Sequence, residues 1–406
     1  MKKLLDYGIF QYLWLIILMP KAVQFAFFLM LSVLFFLKSG LTLKKDALLI
    51  VGFLYVYLLA IIYNVWLHPQ LEMERIFAAL NVLGMWFFSL IAYGYYSKQE
   101  IEFSRIQKYM HTNMLIMIAL SLVFLLMRYE QNVVFLGRSL ARTDWLATGR
   151  TERFNGFLEY PNLITLFYLL ALPFALVHIR KKSKRYKAAF IGLSFVPMIA
   201  SNSRIGLVAM LLAILCFIFY DFFSARLRAL FLLLTPFVLL FVFLLFSTQI
   251  GETISDFFHL RSGSNTLRFR VYEESLRLVF ERSPLIGLGI REAFATSAHL
   301  GTHSTYVGII FRTGILGSVF FFVFFIRKII QLIRKMRKAG YANYLGFLLY
   351  FLIVIIIEDI DGSNWPLFLL FSYLGIAEAN PASKGRPDLI SSLSLACATP
   401  SLAERA

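Results

Sequence analysis

Arginine, one well-placed histidine and a cluster of carboxylates are the residues in this chain whose positions could support chemistry. Residues 128–160 carry Arg128, Arg138, Arg142, Arg150 and Arg153, and residues 248–303 carry Arg261, Arg268, Arg270, Arg277, Arg282 and Arg291, with no lysine in either segment. A guanidinium is a planar fork that grips a phosphate or carboxylate through two parallel N–H bonds, whereas an ammonium acts as a point charge. Ordinary surface pairing would also use arginine, so the set matters more than any single member.

Residues 265–282 have the spacing of an amphipathic helix. Phe269, Tyr272, Leu276 and Val279 fall on one face, and Arg270, Glu273, Glu274, Arg277 and Glu281 on the other. Asn265 or Thr266 is the expected cap, and Ser283-Pro284 the expected stop. Arg268 shares the apolar face with Tyr272. Its charge either snorkels to water from the helix end or is aimed into a site that binds an anion. Arg270 stands among carboxylates, where a surface pair is expected, and is kept as a further binding candidate. His303 opens a long apolar run. The dipole at a helix N-terminus favours the neutral imidazole, which can accept a hydroxyl proton or simply cap the helix. Arg153 and Asn162 flank another helix start at Pro161, and Arg204 ends the polar turn Ser201-Asn202-Ser203. Glu358, Asp359 and Asp361 read best as a solvated loop, with general-base or cation-binding roles as the alternative.

The elements that position these residues are membrane spans. The chain has 406 residues, 59% of them hydrophobic and only 16% charged, with 43 phenylalanines. Apolar runs of about 18 residues or more read as spans, because a helix satisfies its own backbone in lipid. About twelve are expected, near 8–19, 22–37, 47–65, 76–96, 109–127, 161–178, 188–201, 205–220, 229–247, 304–326, 343–357 and 365–378. The first is short. Lys2 and Lys3 precede it as in a signal peptide, yet Met19-Pro20-Lys21 offers no small-residue cleavage site, so it is taken as a span or half-hairpin.

Arg180, Lys181, Lys182, Lys184, Arg185 and Lys187, and then Arg327, Lys328, Arg334, Lys335, Arg337 and Lys338, fall between spans on one side. Basic residues mark cytoplasmic loops, which puts both termini inside and the arginine-only segments 128–160 and 248–303 outside. The net charge of +17 thus reports topology in a cytoplasmic membrane. A basic soluble face with base-stacking aromatics, as nucleic-acid binding requires, is absent. Cys216 and Cys397 make no disulfide framework or metal site, and no phosphate-loop or dinucleotide fingerprint occurs. The expected organisation is an all-α membrane domain over 1–378, followed by a disordered cytoplasmic tail over 379–406.

Four pieces, in order, resemble the O-antigen ligase and polymerase superfamily. They are Arg153-x-x-Gly156 with Pro161-Asn162; Ser201-x-Ser203-Arg204; Arg268-x-x-x-Tyr272 with Pro284-x-x-Gly287-x-Gly289; and His303-Ser304-x-Tyr306 with Gly314-Ile-Leu-Gly317. The resemblance covers roughly 105–330. Members often carry Trp where this chain has Tyr272, and Asn where it has Ser304. It implies a GT-C-like, all-helical glycosyltransferase that works without metal or other cofactor. Such an enzyme moves a glycan from an undecaprenyl diphosphate donor to a hydroxyl on a glycan or lipid acceptor. By that resemblance Arg204 and Arg268 hold the diphosphate with help from Arg153, while Asn162, Tyr272 and Arg270 line the site. His303 then positions or deprotonates the acceptor hydroxyl. A lipid flippase or other transporter is the alternative, but internal repeats, mid-membrane polar sites and short loops would be expected of one.

Overall fold

The computed structural model describes residues 2–40, 44–127, 134–146, 149–219, 262–295, 298–339, 355 and 358–379. The expected span at 229–247 and the tail from 380 onward lie outside these residues, as does nearly all of 343–357.

Among the described residues, five helices are long and apolar enough to cross a membrane. They are α3 (Lys21–Ser39), α4 (Ala47–Leu67), α5 (Met73–Tyr96), α6 (Phe103–Leu126) and the Thr305–Leu332 portion of α11 (Thr305–Ala339). Two shorter helices, α7 (Leu163–Ile179) and α12 (Asn364–Ala379), are apolar on every side and buried on every side. A helix with no polar face belongs in the centre. At 17 residues, α7 is about 25 Å long, somewhat short of a hydrocarbon layer of about 30 Å. The outer helix α3 keeps Leu29, Met30, Val33, Leu34, Phe36 and Leu37 exposed, a surface that water would penalise and lipid tails accept. Helices α8 (Lys184–Ala200) and α9 (Arg204–Phe219) complete this layer.

The first expected span is not one helix. It is α1 (Lys2–Gln11) and α2 (Leu13–Leu18), interrupted at Tyr12. The Asn113 side chain of α6 enters the gap, where its Oδ1 accepts from the Trp14 amide at 3.1 Å and its Nδ2 donates to the Phe10 carbonyl at 2.8 Å. A side chain inserted into the ladder is a recognised cause of such a break. Arg138 then caps the carbonyls at the end of α2, donating to Ile17 and Leu18 at 2.8 and 3.0 Å.

The long segments are only partly helical. The first folds as two antiparallel hairpins, β1 (Val134–Phe135) with β2 (Arg138–Ser139) and β3 (Ala141–Leu146) with β4 (Gly149–Phe154). The second contains α10 (Ser262–Arg282) and the hairpin β5 (Ala293–Ala295) with β6 (Ala298–His299). Helix α10 begins before the expected caps Asn265 and Thr266. It buries Val271, Ser275, Leu278 and Val279, while Phe269 stays 59% exposed. The buried stripe is therefore rotated from the expected one. An outward aromatic beside lipid is not penalised, so apolar pattern alone does not identify the inward face.

Helix α11 breaks at Gly314, whose φ of 56° and ψ of −156° are not helical. The loop 284–290 repairs the break strand by strand. Leu288 and Gly289 amides donate to the Phe311 and Arg312 carbonyls at 2.8 and 3.0 Å, and the Ile315 and Leu316 amides donate to Pro284 and Leu285 carbonyls at 2.9 and 3.0 Å. Irregular backbone is tolerated at membrane depth only where protein satisfies it in this way. The contact requires glycine. Gly287 has φ +75°, and a Cβ there would lie 2.5 Å from the Gly314 nitrogen; one on Gly289 would lie 2.6 Å from Ala60 in α4.

At the other end of α11, Lys328 is buried and donates to Asp46 before α4 (3.1 Å), Tyr93 of α5 (2.7 Å) and Glu378 of α12 (2.7 Å). One ammonium thus ties four helices together, with its charge matched by two carboxylates.

Gly287→Ala is expected to cost at least about 2 kcal/mol, from positive-φ strain and the clash together. Gly192, with nothing within 4 Å of its Cβ position, is the control. Thermal unfolding in detergent should show Gly287→Ala falling well below wild type, with Gly192→Ala at or above it.

Candidate active site

The zipped loop 284–290 and the turn before α11 bring the distant polar residues to one end of the bundle. His303 sits at φ +64°, a conformation that a non-glycine residue adopts only under constraint from its surroundings. The constraint is visible. Tyr272 of α10 donates its hydroxyl to the His303 carbonyl at 2.6 Å. Two residues on, Thr305 donates to the Glu358 carbonyl from its amide at 3.2 Å and from its hydroxyl at 2.7 Å, and its hydroxyl accepts from the Ile360 amide at 3.1 Å. The segment 358–360 and the start of α11 are therefore locked together.

Arg268 lies one helical turn before Tyr272 and reaches the same region. Its Nη2 is 3.5 Å from Glu358 Oε1, with both side chains largely buried. From the hairpin side comes Arg153 at the end of β4. It is only 3% exposed, and it donates from Nε to the Ser201 carbonyl at 2.8 Å and from Nη2 to Asn162 Oδ1 at 2.9 Å. Its charge is felt at Glu358. Asn162 thus orients Arg153. The Ser201 carbonyl belongs to the turn that leads into Arg204, the first residue of α9; the Arg204 side chain lies outside what the structure describes. Arg270 stands on the exposed face of α10, turned away from this cluster.

The expectation for Glu358, Asp359 and Asp361 does not hold: they are not a solvated loop. All three are largely buried, with side-chain exposures of 12%, 9% and 1%. Arg291 contacts Asp359 closely, and lies 3.5 Å from Asp361. Arg312, inside α11 and 1% exposed, donates to Asp361 at 2.7 Å. The Trp86 indole donates to Asp361 at 2.8 Å. An isolated charge could not remain here, so each carboxylate has a guanidinium partner. Arg312 is the member that pattern reading does not single out, and the pairing of Glu358 with Arg268 and of Arg291 with Asp359 is not legible there either. Arg312 did leave a signal, as a charge within an otherwise uncharged apolar run. The pairing that makes the acidic cluster an interior feature is long-range and leaves no such trace.

These neighbours set the protonation states. Burial, followed by the fields of Arg268 and Arg291, lowers the His303 imidazole to about 4, so it is neutral at physiological pH. Burial raises Glu358 to about 7 against the opposing pull of Arg268 and Arg153. Asp359 is likewise raised, mainly by burial. For Asp361 burial acts upward too, but Arg312 and the hydrogen bonds to the carboxylate outweigh it, and the group stays ionised. The result is a cluster of guanidinium groups, partly matched by carboxylates, with a neutral imidazole beside it. Guanidinium forks arranged this way can hold an anion while an uncharged polar group meets the imidazole.

Comparison with known proteins agrees with the motifs. No curated protein matches the chain. A model of the O-antigen ligase family matches residues 188–322, the stretch from α8 into the first half of α11, which contains Arg204, Arg268, Tyr272, His303 and the loop 284–290. Arg153, Asn162 and Glu358 lie outside the match and reach the same cluster through the fold. Residues 188–322 of this membrane protein are therefore similar to the O-antigen ligase family.

Proposed function

We propose that the chain is a membrane glycan transferase of the O-antigen ligase and polymerase type. It takes a glycan from an undecaprenyl diphosphate donor and passes it to a hydroxyl of a glycan or lipid acceptor. The observation that carries this reading is the convergence of Arg153, Arg268 and His303, from three separate regions of sequence, on one buried cluster at one end of the bundle. In transfer, the bond from the anomeric carbon to the phosphate oxygen breaks with its electron pair going to the departing diphosphate, and a new bond forms to the acceptor oxygen, whose proton passes to the His303 imidazole and from there to solvent. Charge accumulates on the departing diphosphate. The guanidinium groups of Arg268 and Arg204, with help from Arg153, would stabilise that charge, so the reading requires no metal ion. His303, neutral and anchored through its backbone, would accept a hydrogen bond from the acceptor hydroxyl and orient it.

The lipid-linked donor fits a site at the membrane surface beside apolar outward helices. The basic segments at the opposite ends of the spans support a cytoplasmic-membrane protein of bacterial type, with its termini inside and the site on the outer face. Both ligase and polymerase use this donor chemistry. They are separated by the glycan that accumulates on deletion: single repeat units on the carrier indicate a polymerase, and long polymer left on the carrier indicates a ligase.

Two outcomes are expected in a transfer assay with purified protein. Arg268→Ala should lower turnover by about a hundredfold or more, as loss of one oxyanion ligand does, with expression and melting temperature little changed. Arg268→Lys should recover only a small part, since an ammonium lacks the fork; full activity would refute bidentate binding. His303→Ala should reduce turnover by about a hundredfold, and an unaltered rate would reduce His303 to a helix cap.

A further inference from the structure

With Arg268 read as a diphosphate ligand, we propose that the Glu358 carboxylate occupies the place of the donor's diphosphate on Arg268 in the donor-free protein, and that donor binding displaces it and leaves it protonated.

The geometry for such an exchange is specific. Glu358 Oε1 lies 3.5 Å from Arg268 Nη2, on the guanidinium whose fork would take the diphosphate, and Arg153 adds positive charge from another side. The backbone of Glu358 cannot follow the exchange. Its carbonyl is held by both the amide and the hydroxyl of Thr305, and Ile360 is held by the same hydroxyl. Only the side chain can turn, by rotation about its own bonds, and the loop stays where it is.

Protonation follows from charge. Once displaced, the carboxylate loses its Arg268 partner and faces a neighbouring dianion in a largely buried setting, and both changes favour the neutral acid. The proton comes from solvent and converts carboxylate to carboxylic acid, with no other bond altered. With Arg268 in place the group already sits near neutrality, at about 7, because burial outweighs its arginine neighbours. The charged and titratable groups around it are Arg268 and Tyr272 of α10, Arg153 of β4, Tyr160 before α7, His303 before α11 and, next to it in sequence, Asp359. Of these, only Asp359 also titrates near neutrality, and it is paired with Arg291 and not with Arg268.

A purely positional salt bridge makes the opposite prediction. If Glu358 merely holds Arg268 in place, removing its charge weakens donor binding. If it competes with the donor, removing its charge strengthens binding. A full-length protein in detergent, titrated with a short-chain polyprenyl-diphosphate monosaccharide, separates the two. Both phosphate charges of that probe are fixed across the neutral range.

Wild-type affinity should fall about tenfold between about pH 6 and about pH 8, as the ionised carboxylate becomes the dominant competitor. Glu358→Gln should bind with flat pH dependence, and about tenfold more tightly than wild type at about pH 8. A measurement on the unaltered protein guards against misfolding of the variant. Calorimetry at about pH 8 in buffers of different ionisation enthalpy should register uptake of about one proton per probe bound. Weaker binding by Glu358→Gln, a pH dependence that survives in it and so belongs to Asp359, or no proton uptake by wild type would each overturn the proposal. Arg268→Ala separates this from the parent reading. If Arg268→Ala binds the probe as wild type does, the diphosphate role of Arg268 fails. If it loses binding while Glu358→Gln also weakens, only the displacement of Glu358 fails.

Discussion

Charge buried in an apolar bundle must be matched, and this requirement organises the site end of the molecule. Arg291 and Arg312 are held by Asp359 and Asp361, and Arg268 by Glu358. Removing one partner of the fully buried Arg312–Asp361 pair strands the other and costs about 3–5 kcal/mol. The acidic turn 358–361 is thus the template on which three arginines from α10, the loop after it and α11 are set. Matching is not uniform. Asp361 is fully committed to Arg312 and Trp86, while Glu358 sits at a longer distance from Arg268, close to neutrality in its titration. The inner pair serves the fold, and the outer one is weak enough to exchange.

The backbone meets a parallel demand. Breaking α11 at Gly314 frees two carbonyls and two amides inside the bundle, and the loop 284–290 answers all four. This repair fixes the loop against both α4 and α11 and delivers Arg291 to the carboxylates. It also explains why glycines stand at 287, 289 and 314, where neighbouring backbones approach within the space of a methyl group.

Much of this was legible in the sequence. The apolar runs identified α3 to α6 and the start of α11, and Arg268 on the inward face of an amphipathic helix was visible from its spacing to Tyr272. Several features were not. Asn113 breaks the first span from ninety-nine residues away from its partner Trp14, and no local pattern encodes that. The hairpins of the first long segment are set by cross-strand pairing in polar sequence without clear alternation. The facing of α10 is not given by its apolar pattern, since Phe269 stays exposed while Ser275 is buried. The acidic cluster reads as a solvated loop because charge is ordinarily a sign of water, and only the folded arrangement supplies Arg291, Arg312 and Arg268 as partners.

The central claim is that the arginine cluster receives a lipid-linked diphosphate beside a neutral imidazole. The most direct measurement is a structure of the protein in a lipid nanodisc with a polyprenyl-diphosphate sugar bound. The account predicts phosphate oxygens about 3 Å from the Arg268 guanidinium, the anomeric carbon turned toward His303, and the Glu358 side chain rotated off Arg268. A diphosphate bound elsewhere, with Arg268 still resting on Glu358, would contradict it.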